Sequence, residues 1–267
     1  GRLWRESGRV NGRENGPVLL ALAARPLGDD AAPTYAELRA LPATRHISLD
    51  VLARADVEAL VCRRLGVAEL PPAVAALIHD KAEGHPFFSE ELAYALRDAG
   101  LLLVEDGRAR LAPGADLAAL TFPNTIQGVI TSRIDRLTPQ QQLTVKVASV
   151  IGRIFAYRVL TGVYPAEVDD ARLHDSLARL AQLELTPLES PEPNLAYIFK
   201  HLVTQEVVYS LMTQAQQQEL HRRIARWYET TMEGDLERHY AVLAHHWRLA
   251  GDAARASDYY AGAGDRK

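Results

Sequence analysis

A single cysteine, Cys62, stands among 267 residues. That excludes an internal disulfide framework and suits a reducing, cytoplasmic setting. No apolar run approaches the length that spans a bilayer, and no charged-then-apolar leader opens the sequence. A global basic field is missing as well. The formal charge is −4 and the pI about 6.2, so long-range attraction recruits neither nucleic acid nor anionic lipid.

Most of the short motifs that carry chemistry are also absent. No Gly is followed by Lys, so there is no G-x-x-x-x-G-K-[ST] phosphate loop, and no apolar strand ends in paired acids that would hold magnesium. G-x-S-x-G, Cys-x-x-Cys and His-Glu-x-x-His do not occur. Glu90-Glu91 is a candidate acid pair, but adjacent helical residues diverge and a solvated face is the expectation. His239, His245 and His246 invite a metal reading. His245 and His246 diverge by about 100° on a helix, and no carboxylate completes a site, so packing is expected. Cys62 is expected to pack under its helix. The chain is not a self-sufficient catalyst.

What is present is ordinary core material: 48% hydrophobic and 24% charged residues, over a length that suits about two domains. The sequence begins at Gly1 and ends at Lys267 just after a helical pattern, which predicts a piece of a longer protein. Residues 1–16 are polar and aperiodic. Pro17–Ala24 (PVLLALAA) reads as a buried strand of a parallel sheet, with Arg25 at its C-terminal edge either capping the strand or meeting a ligand. A short helix is predicted around Tyr35–Leu41 and a strand at His46–Leu49. Ser48 or Asp50 is read as the cap of a helix running to Leu65 and stopped by Gly66. Pro71–Ala82 and Pro86–Ala99 read as helices on either side of Gly84-His85-Pro86, and Glu105-Asp106-Gly107 as the turn of a hairpin.

Helices are predicted again at Thr125–Leu137, Thr138–Ile151, Phe155–Val163 and Asp169–Leu183, then strands at Leu185–Leu188 and Ala196–Phe199. Helices followed by a hairpin is the order of a winged helix. DNA readout is not expected of it, because Thr125–Met212 holds eight Lys/Arg against nine Asp/Glu, and Arg172, His174 and Arg179 share their helix with Asp169, Asp170 and Asp175. At Tyr197–Tyr209 a strand runs almost directly into a helix with His201 at the joint. There the imidazole either packs the corner or meets an anion beside unpaired amides. His201–Met212, Gln214–Met232, Leu236–Ala250 and Ala253–Ala263 complete a helical C-terminal part. Ala256, Tyr260 and Ala263 match the spacing of a tetratricopeptide-type second helix.

The segments VLLALAARP (Val18–Pro26), EGHPFFSEEL (Glu83–Leu92), FPNTIQGVITSRIDRL (Phe122–Leu137), KVASVIGRIF (Lys146–Phe155), YIFKHLVTQEVVY (Tyr197–Tyr209), LHRRIARWYE (Leu220–Glu229) and LAHHW (Leu243–Trp247) occur in this order. In them the chain resembles STAND-type, AAA-like signalling ATPases, most closely the ATPase and helical region of soluble-adenylyl-cyclase-like class III nucleotide cyclases. The resemblance implies a mainly α fold with minor β. Its parts would be a remnant of an α/β NTPase sheet (1–48), a helical lid with a hairpin (49–122), a winged helix (123–212) and tetratricopeptide-like helices (213–267). It implies nucleotide contacts at Arg25, at the G-x-P turn of Gly84, His85 and Pro86, and at His201, with no catalytic or metal-binding residue. ATP or ADP would be held tightly only where an upstream phosphate loop is present. The implied partners are an attached NTPase and cyclase region and a protein met by the C-terminal helices, with neither membrane nor nucleic acid. Two other readings remain, a nucleotide-independent helical scaffold and the middle part of a STAND transcription regulator.

Overall fold

The computed structural model describes residues 19, 21–23, 33–115, 117, 123–167 and 169–264. Contacts divide the chain into Gly1–Asp50 and Val51–Lys267. In the first unit, Pro33–Ala40 forms α1, close to the expected helix. The two expected strands do not form among the described residues. Leu19 and Leu22 are 94% and 70% exposed, and Ile47 and Leu49 are 67% and 91% exposed without a ladder. An apolar run becomes a strand only against a neighbour that takes its backbone bonds, and no described strand pairs with either segment. Arg25 lies outside the described residues.

The second unit opens with α2 (Arg54–Leu65), α3 (Pro72–Ala82) and α4 (Pro86–Asp98), then β1 (Leu102–Glu105) and β2 (Arg108–Leu111). Neither Ser48 nor Asp50 caps α2; its N-cap is Ala53, with no side-chain bond. The chain at Leu52 is already committed, its N–H donating to Gly84 O at 2.8 Å, so it stays extended one turn longer than predicted. Gly66 stops α2 at φ 69, and Asp106 and Gly107, both at positive φ, make the tight turn between β1 and β2. Val61, Val74, Ile78, Leu92 and Leu96 form the core of this part.

The middle part is α5 (Ile126–Asp135), α6 (Pro139–Ile151), β3 (Ile154–Ala156), α7 (Tyr157–Val163), α8 (Asp170–Gln182), β4 (Leu188–Ser190), β5 (Ala196–Ile198) and α9 (Leu202–Ser210). Thr125 caps α5, and Thr138 with Gln141 forms a capping box on α6. The helix expected from Phe155 begins instead with β3, because Phe155 pairs with Tyr197 in a sheet ordered β3-β5-β4. The expected strand at Leu185–Leu188 is shifted to Leu188–Ser190, although Leu185 O still accepts from Lys200 N at 3.3 Å. Helices α6, α7 and α8 close over Phe155, Leu160, Leu177 and Phe199, all fully buried.

After α9 come α10 (Gln214–Thr231), a 3-10 turn (Glu233–His239), α11 (Tyr240–Leu249) and α12 (Ala253–Gly264). The helix expected over Leu236–Ala250 starts only at Tyr240, because Leu236–His239 stay in the 3-10 turn and His239, at φ −105 and ψ 2, is the N-cap. Trp247 and Ala256 pack between α10, α11 and α12, while Tyr260 is 48% exposed and Tyr259 takes the inner position instead. No helix among the described residues is long and apolar enough to cross a membrane.

Candidate functional site

The Gly84-His85-Pro86 turn joins α3 to α4. Glu83 and Gly84 take positive φ, 49 and 77, which ends α3 and reverses the chain. A Cβ on Gly84 would lie 2.4 Å from Leu52 O, so two backbones meet where no side chain fits. His85 is the N-cap of α4 without a side-chain bond, and Pro86 fills its first position, where a missing N–H leaves no acceptor unpaired. Both side chains face solvent. One residue on, the Phe87 ring lies 4.0 Å from the His201 ring, tilted by 34°. One turn on, Glu90 Oε2 faces His201 Nε2 at 3.7 Å. The turn and His201 therefore meet through Phe87 and through Glu90, which the sequence had placed on a solvated face.

His201 is the N-cap of α9, extended at φ −125, and makes no side-chain cap bond. Its Nε2 and Glu90 Oε2 are both enclosed and have no hydrogen-bond partner among the described residues. At 3.7 Å they sit at ion-pair range but beyond a hydrogen bond. Glu90 Oε1 accepts from Arg64 Nε at 3.0 Å. Lys200 Nζ lies 3.9 Å from Oε2 but is bonded to Tyr94 OH and Glu184 Oε2, each at 2.8 Å. Burial would raise the pKa of Glu90. The His201 ring and Arg64, with Lys200 behind them, outweigh that and hold its carboxyl below the usual range. For Lys200, burial opposes the charge, while Glu184 and Tyr94 favour it more strongly.

Glu91 points the other way along α4. Its carboxylate accepts from Arg133 Nη1 at 2.6 Å, Asp98 accepts from Arg133 Nε at 3.0 Å, and Leu183 O accepts from Nη2 at 2.5 Å. Burial works against the Arg133 charge, and Glu91 and Asp98 overcome it, so the guanidinium pKa is raised. Arg133, Arg97 and Lys200 all lie about 5 Å from the Tyr94 ring, at 5.1, 4.9 and 4.9 Å. The expected solvated face for Glu90-Glu91 is therefore overturned: they are 4% and 1% exposed. The signal was available in the sequence. Glu90-Glu91 lies between Phe87-Phe88 and the run Leu92–Leu96, and Ser89–Leu96 is buried throughout; a helix buried all round has no solvated face on which to put an acid.

The histidines near the C-terminus form a separate cluster. His221 and His246 are 2% and 3% exposed. Their Nδ1 atoms lie 2.8 Å apart, and His221 Nε2 bonds Tyr209 OH at 3.0 Å. Burial, aided by the neighbouring His245 and Arg248, pushes His221 down to about 4, and burial with His221 and His245 pushes His246 down to about 3. His239 instead packs on the Tyr228 ring at 5.2 Å. Among the described residues no group of His, Cys, Asp and Glu could hold a metal. Cys62 is buried, and burial together with Glu58 and Glu69 raises its thiol pKa.

A family model described as a domain of unknown function, DUF8739, matches residues 54–110, the stretch from the first residue of α2 into β2. No curated protein matches the chain.

Proposed function

We propose that this chain is the regulatory part of a nucleotide-switched signalling ATPase of the STAND type, controlling an attached nucleotide cyclase. Its sequential parts would be a remnant of an NTPase sheet, a helical lid, a winged helix, and helices of tetratricopeptide kind that meet a protein partner. The helix–strand–helix–helix–strand–strand order of α6 to β5, with sheet order β3-β5-β4, supports the winged-helix reading. The observation that carries the functional reading is the 4.0 Å packing of Phe87, next to the G-x-P turn, on His201. A ligand touching both the turn and the imidazole then senses whether lid and winged helix are together. ATP or ADP is the ligand in the longer protein, and the compartment is the cytoplasm. The chain alone lacks the phosphate loop that supplies most of the binding energy. A second reading, a scaffold that works without nucleotide, is favoured by the Arg133 bonds, which join α4 to α5 through protein groups alone.

The test is ADP retention and cyclase output in the longer protein, wild type against His201→Ala. Weaker ADP retention or higher output is expected from the variant. Unchanged retention together with unchanged output removes His201 from the mechanism.

A further inference from the structure

Glu90 Oε2 and His201 Nε2 are the one facing pair of enclosed, unbonded polar atoms among the described residues. The groups around them are partly committed elsewhere. From α2, Arg64 Nε holds Oε1 at 3.0 Å and so aims Oε2 at the imidazole. From the strand side, Lys200 gives two of its three N–H donors to Glu184 and Tyr94 and stays 3.9 Å from Oε2. Phe87 covers a ring face at 4.0 Å and restricts rotation of the imidazole. His201 Nε2 faces Oε2 at 3.7 Å, nearer than the remaining Lys200 donor at 3.9 Å.

We propose that Glu90 is the positioning residue of His201: its carboxylate keeps the proton on Nε2 and leaves Nδ1 as the nitrogen that meets an anionic ligand of the phosphate class. The ligand half of this statement rests on the nucleotide reading above; the positioning half does not. A neutral ring with its proton on Nε2 offers Nδ1 only as an acceptor. Contact with a phosphate oxygen therefore takes a second proton from solvent onto Nδ1, and the Glu90 charge behind the ring balances the imidazolium. Phe87 and Glu90 both belong to the first turn and a half of α4, which starts at Pro86. Displacing the G-x-P turn thus moves the ring's cover and its carboxylate together.

The experiment reads ring nitrogens by two-bond proton–nitrogen spectra on the histidine-labelled 267-residue chain, across the alkaline half of a pH titration. His201→Gln assigns the signals. In wild type, His201 is expected to carry its proton on Nε2. In Glu90→Gln the Nε2-protonated fraction is expected to fall toward that of a free histidine, while the His221 and His246 signals stay fixed and report an intact fold. Glu90→Asp should restore part of the preference. A wild-type ring with a bare Nε2, or an Nε2 proton that persists unchanged in Glu90→Gln, overturns the proposal. Because no nucleotide is present, either result is independent of the ADP experiment, which can fail separately.

Discussion

Two neighbouring carboxylates on α4 have opposite fates, and the contrast separates holding from sensing. Glu91 meets a guanidinium whose donors reach two carboxylates and a carbonyl, and all of it is buried. Glu90 keeps one oxygen bonded to Arg64, itself 44% exposed on its side chain, and turns the other toward an imidazole it does not quite reach. A saturated buried network has one arrangement and fixes α4 against α5. A pair held just beyond bonding distance responds to whatever changes the ring's proton or position.

The largest effect is expected from breaking the saturated side. Arg133→Ala leaves Glu91 and Leu183 O buried without their partner and should cost about 3–5 kcal/mol, read as a lower urea midpoint. A loss under about 1 kcal/mol would mean the network relaxes or hydrates. Acid separates both contacts from the C-terminal cluster. His221 and His246 bind fewer protons folded than unfolded, because their folded pKa values, about 4 and about 3, lie below the ordinary 6.5. Stability they contribute is present above pH 6.5 and is lost as pH falls toward 4, by about 3 kcal/mol for either ring taken alone. Glu90, held below the carboxylate range, contributes above its ordinary pKa and lets go only at more acid pH. Chemical unfolding at stepped pH checks the order, and His246→Gln should flatten the upper part of the slope.

Gly84→Ala comes next. It combines positive φ with a 2.4 Å approach to Leu52 O and should destabilise by about 2 kcal/mol, seen in the thermal midpoint. Glu90→Gln is expected to change stability least, by about 1 kcal/mol or less, while altering the His201 ring spectrum. A Glu90→Gln loss as large as that of Arg133→Ala would erase the contrast.

Local chemistry made much of the second unit legible. Asp106-Gly107 marks a tight turn, Thr138-Pro139 starts a helix, and Gly66 stops one. What failed depended on distant partners. His46–Leu49 has a strand pattern, but a pattern is not a ladder. Phe155 looked helical until Tyr197 paired with it. The site was half legible: the G-x-P turn, His201 and the Glu90-Glu91 pair stood out in the sequence, whereas the contacts that join them did not. Glu90 finds Arg64 across 26 positions, Glu91 finds Arg133 across 42, and Lys200 finds Tyr94 across 106. No periodicity reports pairs at such separations. For Glu90-Glu91 the mistake was to judge the pair alone rather than by the apolar residues around it.

The most direct test of the division between holding and sensing is a pair of double-mutant cycles in urea. One couples Arg133→Ala with Glu91→Ala, the other His201→Ala with Glu90→Ala. The account predicts coupling of about 2–3 kcal/mol for the first pair and under about 1 kcal/mol for the second. Equal couplings, or a larger one between Glu90 and His201, would contradict it.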